Sequence, residues 1–276
     1  MDVPFPVLVH SPARGHNHTH TVIFLHGRGE TPRRFAERLD EVTNSHGQSL
    51  MEAFPTVRWV FAIPAGTVYQ WFPVWDSCRL NEQEELQLEG LQANVARIRL
   101  LVEVEANKFG GRYERVILAG FDQGASVAIH TLFNLKISGD GYMGLPRLGA
   151  VLLFSGRLPF DGRNLRELRA ILNLPNAPRD TAVVRHTPTL IEHCVDDPIV
   201  QVTRGIQLYD TLQSFGGDAT WRQYDSGRHW FNQPGGIDDA IAFLGMTVGL
   251  DRAEVAPTEE PEDEATVVMD DDMDLS

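Results

Sequence analysis

Short apolar runs separated by longer amphipathic stretches set the rhythm of this 276-residue chain. Thr21-Val22-Ile23-Phe24-Leu25 and Arg58-Trp59-Val60-Phe61-Ala62-Ile63 read as buried strands, the second stopped by Pro64. From about Glu82 to Ala106 the period changes. Leu88, Leu91, Val95, Ile98 and Val102 recur at three- and four-residue spacing, which places them on one face of a long helix. Arg115-Val116-Ile117-Leu118-Ala119 is the next strand and ends at Gly120, with a helix predicted from Ser126 to Leu135. Ala150–Phe154 and Thr189–Glu192 supply two more strands, Ala219–Tyr224 closes the sheet, and Ile237–Leu244 makes a last helix. Strands alternating with helices predict a largely parallel sheet wrapped by helices. Gly156 to His186 is long for a connection and holds one short helical pattern, Asn164–Leu172; it reads either as a lid or as a surface excursion.

A hydrophobic content of 42% is enough for one large core. The net charge of −14 changes meaning once it is located. Residues 251–276 hold eleven Asp and Glu against one base, Arg252, which leaves 27 acids and 23 bases in the first 250. That near balance gives no footprint for nucleic acid. The expected organisation is one domain over 1–250 and an acidic, disordered tail over 251–276, with docking to a basic partner as the rival reading of the tail. Cys78 and Cys194 lack disulfide-framework or zinc spacing and read as two thiols in a reducing compartment. Met1-Asp2-Val3-Pro4 has neither a basic nor a sustained apolar region of a signal peptide, and no apolar run is long enough for a bilayer. The expectation is a cytoplasmic protein.

Candidate chemistry gathers in three places. Gly120-Phe121-Asp122-Gln123-Gly124 lies where a strand turns sharply into a helix, the setting of a nucleophile elbow, normally Gly-x-Ser-x-Gly. Glycines flank the central residue because strand and helix pass close by, and the turn lifts that residue's side chain above the sheet near the positive helix end. His26-Gly27-Arg28-Gly29-Glu30 follows the first strand and is placed to bring the Arg28 amide to an oxyanion hole, with the Gln123 amide as its second donor. Late in the chain, Asp197 and His229 complete the order nucleophile, acid, histidine, with Asp196 a competitor for the acid. His16, His18 and His20 have no carboxylate at ligand spacing, so neither a metal nor another cofactor is predicted.

Together His26-Gly27-Arg28-Gly29-Glu30-Thr31, Gly120-Phe121-Asp122-Gln123-Gly124, Asp197-Pro198 and Gly227-Arg228-His229 resemble the acyl-protein thioesterase, lysophospholipase and carboxylesterase family. Gln70-Trp71-Phe72 and Glu85-Leu86-Gln87-Leu88-Glu89-Gly90 are similar to its fungal members, and the likeness runs from about Thr21 to Leu244. The resemblance implies an α/β-hydrolase fold, a mostly parallel central sheet flanked by helices. It also implies acyl esters, thioesters or lipid-like molecules as ligands, with Trp71, Phe72 and Trp230 lining an acyl groove. The same aromatics read equally as buried core.

Asp122 departs from the resemblance, which implies serine at that place. A carboxylate attacking a thioester forms an adduct that prefers to expel the carboxylate, of pKa near 4, over a thiolate near 8.5. Three readings follow: an esterase-family hydrolase with weakened or altered chemistry, a silent fold kept for binding, or an enzyme whose aspartate attacks saturated carbon in an epoxide or alkyl halide.

Overall fold

His20–Leu25 (β2) shows how the apolar runs become a sheet. Its side chains alternate, so Val22 and Phe24 enter one core while Ile23 and Leu25 enter another on the opposite face. A strand buried on both faces needs no polar alternation, which is why these runs are continuously apolar. The computed structural model describes residues 5–66, 69–76, 79–80, 82–137 and 144–253. Cys78 and the acidic tail from residue 254 lie outside the described residues.

Around β2 stand β1 (Val7–His10), β3 (Val57–Ala62), β4 (Val116–Phe121), β5 (Ala150–Phe154), β6 (Thr189–Cys194) and β7 (Ala219–Tyr224), in the order β1-β3-β2-β4-β5-β6-β7. All pairings are parallel except β1 with β3. One face is covered by α2 (Leu88–Asn107), α3 (Gln123–Asn134), α4 (Leu165–Leu172), α5 (Ala182–His186) and α6 (Val202–Ser214). The other is covered by α1 (Pro32–Asp40) and α7 (Gly235–Val248). This is the α/β-hydrolase architecture expected from the sequence.

Several boundaries shift for physical reasons. The long amphipathic stretch begins as a 3-10 turn, Glu84–Gln87, before α2 takes over, and Leu88 is only partly buried. Arg115 belongs to a 3-10 turn, Tyr113–Arg115, so β4 starts one residue later. The helix after Gly120 begins at Gln123, directly behind Asp122. Residues 156–186 are neither a lid nor a surface excursion. Leu158, Phe160, Leu165, Leu168, Leu172, Leu174, Val183 and Val184 are buried in the core, and Arg169 donates to the carbonyls of Phe133 and Asp180. A capping box between Asn164 and Glu167 starts α4 at the expected place. No helix among the described residues is long and apolar enough to cross a membrane.

Candidate active site

Backbone geometry alone delivers Asp122. The residue has φ 53° and ψ −118°, an unfavourable conformation for an L-residue, between β4 and α3. A Cβ on Gly120 would sit 2.4 Å from the Gly124 carbonyl oxygen, and one on Gly124 only 2.1 Å from that of Leu25. Both positions therefore demand glycine, and the turn they allow lifts the Asp122 side chain above the carboxyl ends of the strands. There Asp122 Oδ2 accepts a hydrogen bond from the Arg28 amide at 2.9 Å, while Oδ1 lies 3.8 Å from His229 Nε2. Gln123, the first residue of α3, turns its side chain to the neighbouring segment, accepting from the Trp71 amide and donating to the Phe72 carbonyl.

His229 sits in the loop after β7, its ring against Phe121 at 5.0 Å between centroids. Its Nδ1 donates to Asp197 Oδ2 at 2.8 Å. Asp197 is fully enclosed: Oδ1 accepts from the amides of Ile199 (2.8 Å) and Val200 (2.9 Å), and Oδ2 also lies 3.4 Å from His193 Nε2. Burial alone would raise the Asp197 pKa. Hydrogen bonds from His193 and His229, the imidazolium charge and the Ile199 amide instead hold it well below the ordinary carboxylate range. For His229 burial works downward, but the hydrogen bond to Asp197 and the charges of Asp122 and Asp197 outweigh it and the opposing Arg28. His229 is thus raised above its ordinary value. Asp196 accepts from the Arg228 amide at 2.7 Å instead, so of the two neighbouring acids it is Asp197 that meets the histidine.

A cavity of about 200 Å³ opens beside Asp122, walled by Phe72, Val74, Leu80 and Ile199 on its apolar side and by Arg28, Ser126, Arg157 and His229 on its polar side. Leu80 and Ile199 also border an outer cavity of about 390 Å³. No group of three or more His, Cys, Asp or Glu side chains among the described residues is arranged to hold a metal.

Against known proteins, the model of the phospholipase/carboxylesterase family matches residues 8–247. The chain belongs to that family. Acyl-protein thioesterase 1 of Gibberella zeae is 26% identical over 243 residues, covering 82% of this chain and 90% of the relative. Acyl-protein thioesterase 1 homolog 1 of Dictyostelium discoideum is 24% identical, covering 84% and 92%. Among solved structures, Zea mays acyl-protein thioesterase 2 superposes with a TM-score of 0.62 at 22% identity, covering 88% of this chain and 99% of that one, a likeness of fold.

Within this family fold, Asp122, Arg28, Gln123, Asp197 and His229 converge at one sheet edge, as open α/β sheets arrange their sites. The three aromatics separate. Phe72 lines the cavity. Trp71 lies beneath it, buried, with Nε1 donating to the His26 carbonyl at 2.7 Å. Trp230 is turned to the other side, stacked under the Arg38 guanidinium, which in turn pairs with Glu30. Neither tryptophan borders the cavity: Trp71 is buried with its indole N–H bonded, and Trp230 is half-buried against Arg38.

Two residues of the site escaped sequence reading. His193 is fully buried, and its Nε2 bonds to the Val200 carbonyl at 2.7 Å as well as facing Asp197. Arg157 stands in the cavity wall, with Nη1 3.0 Å from Glu84 Oε1 and Nη2 2.6 Å from Gln87 Oε1. Burial lowers its pKa, with Glu84 and then Asp122 opposing. The position of His193 four residues before Asp197 was a usable signal, whereas Arg157 had none.

Proposed function

We propose that this protein is a carboxylesterase- or acyl-thioesterase-like hydrolase whose turnover of esters and thioesters is weak, with Asp122 standing at the nucleophile position, His229 as its base and Asp197 as the orienting acid. The observation that carries this reading is the 2.9 Å hydrogen bond from the Arg28 amide to Asp122 Oδ2. An acyl carbonyl needs that N–H when its oxygen becomes an oxyanion, and one such donor is worth roughly 10²–10³ in rate. Here the carboxylate already holds it. An acyl adduct on Asp122 would also collapse back by expelling the better leaving group, the carboxylate. His229, raised by its two acidic neighbours, keeps its proton to higher pH than the same imidazole beside one carboxylate, and the protonated ring cannot act as a base.

The test is hydrolysis of short acyl esters and thioesters by the chain as it stands and by Asp122→Ser. We expect a large gain in the serine variant. A folded variant that stays inert on a broad panel removes the hydrolase reading.

The same bond favours a second reading, attack by Asp122 Oδ1 on the saturated carbon of an epoxide or alkyl halide. The carbon–halogen bond breaks and halide departs, or the carbon–oxygen bond breaks and the ring oxygen takes a proton from the His229 imidazolium, and an enzyme ester forms. Water attack on Cγ would then develop negative charge on Oδ2, opposite the Arg28 amide, and loss of the carboxylate charge would free His229 to act as base. Incubation with a reactive epoxide or alkyl halide followed by mass spectrometry decides it, through an adduct on Asp122 or none. An inert serine variant together with no adduct identifies a silent binding fold.

A further inference from the structure

We propose that Arg157 makes the cavity beside Asp122 a recognition site for short ligands that carry a carboxylate, bound against its guanidinium. The inference rests on reading this cavity as the substrate site and names the class of substrate it selects.

Arg157 follows β5 by three residues, and its side chain is only 5% exposed. Both ends of the residue are fixed. Ser126 Oγ donates to the Arg157 carbonyl at 2.9 Å, and the guanidinium is held by Glu84 and Gln87. Glu84 is itself anchored by the Phe160 amide, at 3.2 Å from each carboxylate oxygen. The guanidinium is therefore held in one orientation, in a residue that lines the cavity.

Stability is a poor explanation for such a group. A buried Arg–Glu pair contributes little net stability, because desolvation offsets its attraction, and an apolar side chain of similar size commonly serves as well. The residues around it already provide an apolar wall: Phe72, Val74, Leu80 and Ile199. A cation retained among them serves recognition better than packing. A guanidinium has five N–H donors in a planar fork that matches a carboxylate, and the bonds to Glu84 and Gln87 engage Nη1 and Nη2 once each.

The charges in the wall fit the same occupant. Arg28 and Arg157 both line the cavity, Asp122 is its one carboxylate among the described residues, and one Asp122 oxygen is turned to the Arg28 amide. Glu84 does not border the cavity. The space beside Asp122 is about 200 Å³, room for a short ligand. A short acyl ester with a carboxylate at its far end places the apolar spacer on Leu80 and Ile199, its anion on Arg157 and its ester beside Asp122.

The experiment compares monomethyl glutarate with methyl butyrate, esters of similar length that differ in the terminal carboxylate, by NMR titration of the full chain. We expect the charged ester to bind at least about tenfold more tightly and to shift the Arg157 Nε–H resonance, since a hydrogen bond to a charged group is worth that much. Arg157→Gln should erase the preference, and Arg157→Lys should keep part of it. Equal binding of the two esters, binding of neither, or a preference that persists in folded Arg157→Gln overturns the proposal. If Arg157→Gln does not fold, the resonance shift in the unaltered chain and the lysine variant decide. Turnover by Asp122→Ser separates this inference from the hydrolase reading. Equal activity on both esters would remove carboxylate selection and leave the hydrolase standing. An inert serine variant of a chain that still prefers the charged ester would do the reverse.

Discussion

His229 stands between two aspartates, and the protein builds them differently. Asp197 has no exposed side-chain surface and is met by two backbone amides and two histidines. Asp122 keeps 16% of its side chain exposed, accepts one backbone amide and stands 3.8 Å from the imidazole. The acid half of the site is over-determined, so its geometry does not depend on the residue at 122. The other half is set by the turn, and its side chain is held lightly. Chemistry can change on that side without rebuilding the rest.

The largest effect should come from breaking the enclosed side. Asp197→Ala leaves His193, His229 and two amides facing a cavity, and removal of one partner from a buried charged network costs about 3–5 kcal/mol. For a protein of this size that is a fall in Tm on the order of 10 °C, read by calorimetry. The His229 pKa, followed by NMR, should drop in the same variant.

Next in size is Asp122→Ser, for which ester hydrolysis should rise by on the order of 10²-fold or more as the Arg28 amide is released. The pH dependence of stability should change with it. His229 has a raised folded pKa, so its contribution is fully present below its unfolded value of about 6.5 and disappears as pH rises through the folded one. Losing the Asp122 carboxylate should shrink that component, and Tm measured across this window should fall more gently in the variant.

His193→Phe should cost less, about 1–3 kcal/mol, by leaving the Val200 carbonyl without its partner. His193→Gln, which restores a donor near Nε2, should recover part of that loss. The smallest effect belongs to Asp196→Asn. Its partner is the exposed Arg228 amide, so stability should change by less than about 1 kcal/mol with the His229 titration unmoved. A large shift there would transfer the acid role from Asp197 to its neighbour.

These contrasts explain what was legible in the sequence. Ala150–Phe154 and Ala219–Tyr224 were placed to the residue because unbroken apolar or alternating runs ended by turn residues admit one reading. The triad order was visible because each member lies just after a strand. β1 was missed because three half-buried residues and an exposed one beside prolines give little pattern. α1 had a real signal, Thr31 accepting from the Arg34 amide with Pro32 at the first helical position, which five charged residues around Phe35, Ala36 and Leu39 obscured. α6 buries only Gly205, Leu208 and Leu212, too narrow a stripe to stand out. Arg157 was out of reach for another reason: its partner Glu84 lies 73 residues earlier, and only the folded sheet brings the two to one wall.

The glycines that flank Asp122 carry a consequence for descent and for engineering. Because Gly120 and Gly124 are locked by backbone atoms of neighbouring strands and helix, the socket is specified separately from the reagent mounted in it. A saturation library at 120 or 124 should return glycine in nearly every folded clone. One at 122 should return a spread of small polar residues, all presented at the same point above the sheet. A lineage built this way can trade its reagent in a single substitution and keep its shape, so chemistry is the more mutable of the two inheritances.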